Sequence, residues 1–290
     1  MALTKQEWLA LEDKAYQMRR LLLDTCHWAG SGHIGGGSSV MDMLVILYHR
    51  YMNIRVEDPQ WADRDRLILS KGHAGIAYAP VLVDKGFNDP EQLKTFNLTN
   101  SMMGIHLDSN KVVGVDASTG SLGHGLSIAL GTGLAARVQG KSFKTYCITG
   151  DGELDEGSNW EAAMAMAHFK ATNVISFVDR NHYMIDGGTE DVMALEPLAD
   201  KFAAFGFDVK VIDGNNINEL AEAIDYALAN TGDKPVMIIG DTVKGEGIDF
   251  IEGDYTWHYG AMAEESYERA KESLMRHYEA RKARAEKEGK

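Results

Sequence analysis

Apolar residues follow two alternating patterns along the chain, and the alternation predicts an α/β fold. The short apolar runs TYCITGDG, NVISFVDRN, DVKVIDG and KPVMIIGDT have the length and composition of strands. Segments with apolar residues at helical spacing, such as EGSNWEAAMAMAHFK and INELAEAIDYALAN, separate most of them. Helices between successive strands make those strands parallel. We therefore predict one parallel sheet flanked by helices on both faces.

The two ends of the chain add further helices to this prediction. LALEDKAYQMRRLLLDTCHWA and VMDMLVILYHRYM have helical spacing, and the glycine-rich GSGHIGGGSS between them predicts a loop that carries His33. A short strand at residues 67–69 ends abruptly at Lys71, Gly72 and His73, which places a histidine at the end of a strand, a position typical of ligand contacts. The many charges in residues 264–290 predict a solvated surface helix or a frayed tail. Without a repeat or a linker, residues 1–290 are predicted to form one domain with an N-terminal helical elaboration.

Composition excludes several classes of partner. The 43 acidic and 29 basic residues give a net charge of −14, which argues against binding to nucleic acid or to an anionic membrane surface. No run of eighteen apolar residues is present to predict a membrane span, and the polar N-terminal segment lacks the pattern of a secretory signal. Cys26 and Cys147 are too few for a disulfide framework, so we predict reduced core cysteines and a cytoplasmic location.

The strongest chemical signal joins the ends of two predicted strands. Gly150-Asp151-Gly152 ends one strand, and Asn181 ends the next. The carboxyl ends of parallel strands share one edge of the sheet, so the Asp151 carboxylate and the Asn181 amide oxygen should converge. Such oxygens suit Mg²⁺, which completes its octahedral shell with water and ligand phosphates. Two oxygens are too few for an independent metal site, so we expect a diphosphate, although the tripeptide alone also fits an ordinary turn.

Around these residues the sequence resembles the thiamine-diphosphate enzymes, and among them transketolase. GDGELDEGSNWEAAMAMA followed by DRNHYMIDG is similar to the cofactor signature of that superfamily. The resemblance continues in the family's order through SGHIGG, DRLILSKGHA, GVDASTGSLGHGLSIALG, the loop around Lys244 and WHYGAM. It implies the thiamine-diphosphate-binding fold of the PP, or diphosphate-binding, type. Because the chain stops where a full-length transketolase begins its pyrimidine-binding domain, it resembles the N-terminal subunit of a split transketolase.

The resemblance also implies a set of metal and cofactor contacts. Mg²⁺, or another divalent cation such as Ca²⁺ or Mn²⁺, would be bound by the Asp151 carboxylate, the Asn181 side-chain oxygen and the Tyr183 carbonyl oxygen. Glu156 matches a glutamate at a subunit interface, and Lys244 matches a lysine near the diphosphate. The residues implied to contact thiamine diphosphate are His73, Gly120, Ser121, Leu122, Gly152, Glu156, Asn181, Lys244 and His258.

Four histidines in glycine-bearing loops coincide with family histidines. The resemblance implies that His73 and His258 lie against the diphosphate or the reacting carbon, and that His33 and His106 contact sugar hydroxyls. Neutral imidazoles can both donate and accept protons during carbonyl addition and carbon–carbon cleavage. His124 stands where the family usually has glutamine, and its role stays open.

Some positions depart from the family pattern. Arg180, between Asp179 and Asn181, stands where many relatives have asparagine, and His182 replaces a small residue. Ile34 stands where single-chain relatives often have proline. The metal site is expected to tolerate these changes, whereas substrate preference is left open.

One motif is a false match. GTGLAA, at residues 131–136, satisfies the dinucleotide pattern G-x-G-x-x-A. It falls inside a predicted helix rather than between a strand and a helix, where that pattern binds a nucleotide. We therefore predict no nicotinamide site there.

The activity implied by the resemblance is transfer of a two-carbon glycolaldehyde unit from a ketose, or ketose phosphate, to an aldose acceptor. In the family a glutamate of the pyrimidine-binding domain activates the cofactor. This chain is therefore expected to be inactive alone and to assemble, as α2β2, with a C-terminal pyrimidine-binding subunit. The α subunit of a 2-oxoacid dehydrogenase, a 1-deoxyxylulose-5-phosphate synthase and a non-catalytic regulatory subunit remain as alternatives. The sequence does not specify the sugar, which could be a pentose phosphate, a sulfo-sugar or a branched sugar.

Overall fold

A parallel sheet lies at the centre of the computed structural model, which describes residues 3–289. Within those residues the sheet has five strands in the order β1-β2-β3-β5-β4, and every neighbouring pair is parallel. The strands are β1 Arg66–Leu69, β2 Thr145–Gly150, β3 Val174–Arg180, β4 Asp208–Asp213 and β5 Val236–Asp241. All residues of β2 and β3 are buried, as expected for strands covered on both faces. The predicted parallel α/β sheet is confirmed.

Helices pack on both faces of the sheet and form two apolar layers. The helices are α1 Lys5–Ala29, α2 Ile34–Ile46, α3 Gly75–Asp84, α4 Gly125–Val138, α5 Gly157–His168, α6 Thr189–Val192, α7 Leu198–Ala204, α8 Ile217–Ala229 and α9 Glu264–Glu288. One layer contains buried residues of α1, α2, α3, α8 and α9, and the other contains those of α4, α5 and α7. Consecutive strand residues alternate between them: Tyr146 and Phe177 lie in the first layer, Cys147 and Val178 in the second.

Only residues 30–33 of the glycine-rich segment near the N-terminus form the predicted loop, which carries His33 between α1 and α2. α2 begins at Ile34 and includes the glycines that follow it, all of them buried. A Cβ atom on Gly35 would lie 3.0 Å from the Trp257 carbonyl oxygen, and one on Gly37 would lie 3.0 Å from a Leu22 methyl group. The glycines therefore let α2 approach its neighbours closely, and this packing outweighs a helix propensity that is about 1 kcal/mol poorer than that of alanine.

The charged C-terminal segment is a helix, α9, that packs along α1 with Ala270 and Leu274 buried. On its inner side the Arg281 guanidinium lies 3.0 Å from the carboxylate of the buried Asp42. Gly289, which follows α9, lies beside the start of α1. One side of this segment is therefore buried rather than solvated.

Residues 1, 2 and 290, which belong to the predicted domain of residues 1–290, lie outside the described residues. Among the helices of residues 3–289, none combines the length and apolar character that a membrane span needs. Cys26 and Cys147 are buried and free, as predicted.

Candidate active site

A cavity of about 460 Å³ lies at the carboxyl edge of the sheet. It collects the ends of β2 and β3 and the loops that follow β1 and β5. The sequence-predicted residues that line it are His33, His73, His106, Gly120, Leu122, Asp151, Gly152, Glu156, Asn181, Tyr183, Lys244 and His258. The predicted contact Ser121 is exposed and does not line the cavity. A larger cavity of about 700 Å³, between α1, α9 and the ends of β4 and β5, is lined by none of these predicted residues.

Asp151 and Asn181 converge at this edge, as the strand pattern predicts. Oδ2 of Asp151 accepts the backbone N–H of His182 at 2.6 Å and an Arg180 N–H at 3.1 Å. Oδ1 of Asn181 accepts the N–H of Tyr183 at 3.2 Å, so one loop places the Asn181 amide and the Tyr183 carbonyl near the carboxylate. Burial raises the pKa of Asp151, which makes a neighbouring positive charge favourable.

This donor set suits a hard cation that shares its ligands with a bound anion. No group of three or more His, Cys, Asp or Glu side chains within residues 3–289 is arranged to hold a metal ion. The three predicted ligands supply one carboxylate, one amide oxygen and one carbonyl oxygen, all of which Mg²⁺ and Ca²⁺ accept. A cation here would need further oxygens from a ligand, as the sequence predicts for a diphosphate.

Lys244 supplies positive charge beside these oxygens. Its ammonium group donates to the carbonyl oxygens of Tyr183 at 3.4 Å and Met184 at 3.1 Å. It also donates to Nδ1 of His258, at 3.0 Å. Burial, together with repulsion from Lys71, lowers the pKa of Lys244 to about 8. A bound anion would favour the charged form of this lysine, so the site is suited to a negatively charged ligand.

Three of the predicted histidines face one another across the cavity. The ring centroids of His33 and His73 are 5.0 Å apart, and those of His33 and His258 are 5.3 Å apart. Burial, reinforced by nearby positive charges, lowers the pKa of His33 to about 4 and that of His258 to about 3. Burial also holds the pKa of His73 well below its ordinary value. All three imidazoles are therefore neutral at pH 7.

The neutral histidines keep hydrogen-bonding positions open for a ligand. Nδ1 of His33 is buried and has no hydrogen-bond partner within the described part of the chain. Because Lys244 donates to Nδ1 of His258, the proton of that imidazole is on Nε2. A buried polar atom without a partner is costly, so a polar ligand would satisfy His33. The residues present therefore fit a hydroxylated, anionic cofactor or substrate.

The loop between residues 120 and 124 closes one wall of the cavity. A Cβ atom on Gly120 would lie 2.8 Å from the ring of His106, so this glycine lets the histidine reach the cavity. Gly123 has φ +86° and donates its N–H to the Glu153 carboxylate at 2.9 Å. His124 is exposed, and its ring lies 3.3 Å from the carbonyl oxygen of Leu122. The structure therefore places His124 beside the cavity wall and not in it.

Sequence reasoning missed three charged residues that line the cavity, the exposed Asp155 and two buried residues, Lys71 and Glu153. Lys71 is buried and donates to the buried Asp179 carboxylate at 2.5 Å and to the Gly36 carbonyl at 2.9 Å. Glu153 is also buried, and it accepts hydrogen bonds from the Gly150 N–H at 3.0 Å and from the Ser70 hydroxyl. Both belong to motifs that the sequence singles out, SKGHA and GDGE, and a charged side chain at the end of a buried strand was the available signal.

Comparison with known proteins agrees with this geometry. Residues 11–285 match the family described as "Transketolase, thiamine diphosphate binding domain". The 6-deoxy-6-sulfo-D-fructose transketolase subunit SqwG of Clostridium sp. MSTE9 is 41% identical over 265 residues, which are 91% of this chain and 96% of that protein. An apulose-4-phosphate transketolase subunit of Phocaeicola vulgatus is 38% identical over 90% of this chain and 92% of that protein.

Solved structures give the same assignment. The transketolase of Campylobacter jejuni superposes with a TM-score of 0.85 at 30% identity and covers 95% of this chain. This chain spans 45% of that transketolase and 40% of the human enzyme, to which it is 32% identical. The matched domain, the similarity to the transketolase subunits and the shared fold together show that the chain belongs to the transketolase family, of which it carries the thiamine-diphosphate-binding domain.

Proposed function

We propose that this chain is the N-terminal subunit of a split transketolase, which transfers a two-carbon glycolaldehyde unit from a ketose to an aldose. One observation carries the proposal. The residues that the family resemblance assigns to cofactor, metal and substrate line one cavity at the carboxyl edge of the sheet, with Ser121 the exception. The close relatives support it, because two of them are named as transketolase subunits and are nearly as long as the matched region.

The chemistry supplied by bound thiamine diphosphate is that of a carbon nucleophile and electron sink for cleaving the C2–C3 bond of a ketose. Around it, His258 would donate through Nε2–H, and His33 would bond a sugar hydroxyl through its unpartnered Nδ1. Because burial keeps both rings neutral at pH 7, His258 can give a proton from Nε2–H as the ketose carbonyl becomes a hydroxyl, and His33 can accept one as the C3 hydroxyl becomes the carbonyl of the released aldose. Lys244 would pair with the diphosphate.

A divalent cation belongs to the same proposal. The Asp151 carboxylate, the Asn181 amide oxygen and the Tyr183 carbonyl would hold Mg²⁺, and the diphosphate would complete its shell. The cation would anchor the cofactor rather than act on the substrate.

The partner is proposed to be a C-terminal, pyrimidine-binding subunit in an α2β2 assembly. The support is that full-length transketolases are more than twice as long as the region that this chain covers. The relative from P. vulgatus is itself named as one subunit of a transketolase. A cytoplasmic location is part of the proposal and rests on the free, buried cysteines.

The proposed substrates are sugars that carry an anionic group. One relative is named for 6-deoxy-6-sulfo-D-fructose and another for apulose-4-phosphate, so a sulfonated or phosphorylated sugar is the common chemistry. A pentose phosphate remains the simplest member of that class.

The test is to express the chain together with its candidate partner, and to follow carbon transfer with thiamine diphosphate and Mg²⁺. We expect the ketose to lose two carbons and the acceptor to gain them, and only when both subunits are present. Robust turnover by the chain alone would contradict the split site, and turnover of pyruvate instead of a ketose would contradict transketolase activity.

A pair of histidine variants distinguishes an active subunit from a regulatory one. His258→Ala removes a cavity residue, whereas His168→Ala removes an exposed histidine at the end of α5. Both proteins are mixed with the partner under saturating cofactor. We expect a large loss of transfer for His258→Ala alone; full activity of this variant would point to a non-catalytic scaffold.

A further inference from the structure

Arg180 ends β3 with an enclosed guanidinium group, and its side chain is 4% exposed. One nitrogen, Nη1, donates to Oδ2 of Asp151 at 3.1 Å and to the Thr189 hydroxyl at 2.6 Å. The other, Nη2, donates to Glu190 at 2.9 Å and to Glu196 at 3.1 Å. The guanidinium thus joins the residue that follows β2 to the segment that begins with α6.

The loop between these two points carries the other predicted cation ligands. Asn181 and Tyr183 follow Arg180 directly, and the loop folds back so that Tyr183 pairs with Gly188 as an isolated β-bridge. The N–H of Thr189 then donates to the His182 carbonyl at 2.9 Å. Since Arg180 holds Thr189 at the far end of this loop, one side chain fixes both the carboxylate and the loop that must meet it.

The two oxygens of the Asp151 carboxylate accept hydrogen bonds from different donors. Oδ2 accepts from Arg180 and from the His182 N–H, whereas Oδ1 accepts the Gly152 N–H at 2.8 Å. Two donors on Oδ2 fix the rotation of the carboxylate and leave Oδ1 the freer acceptor. A carboxylate fixed in this way presents a cation with one defined oxygen.

We infer that Arg180 is a positioning residue that sets the spacing between the Asp151 oxygen and the loop oxygens, and so tunes the site for Mg²⁺ over Ca²⁺. The inference rests on the proposed function, because it takes the three predicted ligands as correct. Mg²⁺ demands near-ideal octahedral geometry at about 2.0–2.1 Å, while Ca²⁺ accepts irregular shells at about 2.3–2.6 Å. Looser ligands should therefore cost Mg²⁺ affinity more than Ca²⁺ affinity.

The experiment titrates the full chain with Mg²⁺ and, separately, with Ca²⁺ in the presence of saturating thiamine diphosphate. Calorimetry gives a Kd for each cation. For Arg180→Gln we expect the Mg²⁺ Kd to rise by about 10- to 100-fold, the range for loss of a group that orients a metal ligand. The Ca²⁺ Kd should rise by about threefold or less, because the Ca²⁺ shell tolerates the freed carboxylate.

A second variant, Thr189→Val, tests the same contact in case Arg180→Gln does not fold. Thr189 is fully buried, and Thr189→Val keeps its shape while removing the hydroxyl that accepts from Arg180. We expect the same selective loss of Mg²⁺ affinity, smaller than for Arg180→Gln, because the Asp151 contact remains.

The matched control removes a buried arginine–aspartate pair elsewhere in the chain. Arg19 is 2% exposed and donates to both oxygens of Asp42, at 3.0 and 2.7 Å, and it does not line the cavity. For Arg19→Gln we expect a lower melting temperature and an unchanged ratio of the Mg²⁺ and Ca²⁺ Kd values.

Each outcome decides the matter. If Arg180→Gln and Thr189→Val lose equal affinity for Mg²⁺ and Ca²⁺, Arg180 has only a general structural role and the inference is overturned. A changed ratio of the Mg²⁺ and Ca²⁺ Kd values in Arg19→Gln would overturn it as well. A wild-type chain that binds Mg²⁺ with thiamine diphosphate, and variants that bind it equally well, overturn the inference and leave the proposed function standing. A wild-type chain that binds neither Mg²⁺ nor Ca²⁺ with thiamine diphosphate, even when it is mixed with the partner subunit, overturns both the inference and the proposed function.

Discussion

Three neutral imidazoles occupy a cavity that also contains two lysines, and this combination sets how the residues respond to pH. The pKa values of His33 and His258 are lowered to about 4 and about 3, chiefly by burial and further by the charges of Lys71 and Lys244. In the unfolded chain each histidine titrates near pH 6.5. The folded protein therefore binds fewer protons than the unfolded chain between about pH 4 and pH 6.5.

The sign of the pH dependence follows from this difference. The contribution of the neutral histidines to stability is complete above about pH 6.5 and is lost as the pH falls towards 4, because the unfolded state gains protons that the folded state rejects. We expect the urea midpoint of the wild type to fall between pH 7.5 and pH 5.0, and to fall less in His258→Gln. His168→Gln, at an exposed position, should behave as the wild type; an unchanged fall in His258→Gln would contradict the argument.

At the residue scale, the sequence predicts the position of a side chain where that position follows from the strand pattern, and fails where it depends on a contact with a distant part of the chain. Asp151 and Asn181 were predictable because the ends of parallel strands must meet at one edge. Lys71 was not, because its burial depends on pairing with Asp179, which is 108 positions away in the chain. Ser121 was predicted from the resemblance alone, and in the structure it is exposed and lies outside the cavity lining.

Among the elements, α4 contains two glycines that differ in whether a Cβ atom would fit beside them. Gly131 has no atom within 4 Å of the position that a Cβ would take, whereas a Cβ on Gly133 would lie 2.4 Å from a Val174 methyl group. Both glycines belong to the false dinucleotide motif, and both are inside the helix, as predicted. One is therefore free to change, and the other is required by the contact between α4 and β3.

Alanine substitutions test this difference. Gly131→Ala should raise the free energy of unfolding by about 0.5–1 kcal/mol through better helix propensity. Gly133→Ala should lower it by about 1–3 kcal/mol, because the added methyl group overpacks the contact with Val174. Urea denaturation measures both, and a neutral Gly133→Ala would show that the helix moves aside without cost.

The helix α9 is held by charge as well as by apolar contact. Although burial opposes ionisation, Arg19 and Arg281 hold the pKa of Asp42 below its usual range. Arg281 also donates to Glu12 at 2.6 Å, so α9 is tied to both α1 and α2. This network therefore fixes the positions of α1, α2 and α9 relative to one another.

Loss of the inner arginine should therefore be costly. Arg281→Met leaves Asp42 and Glu12 buried with fewer partners, and we expect the free energy of unfolding to fall by about 3–5 kcal/mol. Arg276→Met is the control on the same helix, because Arg276 and its partner Asp249 are each 60% exposed. The control should change the free energy by less than about 1 kcal/mol in urea denaturation. Equal losses in the two variants would refute a special role for the buried pair.

The elements themselves were predictable where one pattern dominated. The strands lie where the apolar runs predict them, and β2, β3 and β5 are buried along nearly their whole length. The start of α2 was not predictable from local preference, because the approach of Trp257 to Gly35 joins segments far apart in the chain. The helical conformation of this glycine-rich stretch depends on tertiary contacts, which the local sequence does not specify.

For the whole molecule, the cavity couples ligand binding to folding. Its walls come from the segment between α1 and α2 and from segments that follow four different strands, so a ligand that fills it binds the folded chain and not the unfolded one. Binding should then stabilise the protein by about 2.7 kcal/mol when the ligand is present at 100 times its Kd. The expected gain is large enough to see in a melting curve.

Thermal melts can separate the contributions of cofactor and cation. We expect thiamine diphosphate and Mg²⁺ together to raise the melting temperature more than the sum of their separate effects, and EDTA to reverse the gain. In Asp151→Asn this excess over additivity should vanish, because the Asp151 carboxylate is the one charged group among the proposed cation ligands. Simple additivity in the wild type would argue against a cation that bridges protein and cofactor.

The meeting of Gly289 with the first turn of α1 makes the chain nearly a closed ring. A short peptide could join these ends, and the ring could be reopened after Gly140, an exposed position with φ +65° that precedes β2 at the opposite edge of the sheet. Such a circular permutant would leave every loop of the cavity covalently intact. Retained cofactor affinity in it would show that the architecture depends on which segments touch and not on the order in which they are synthesised.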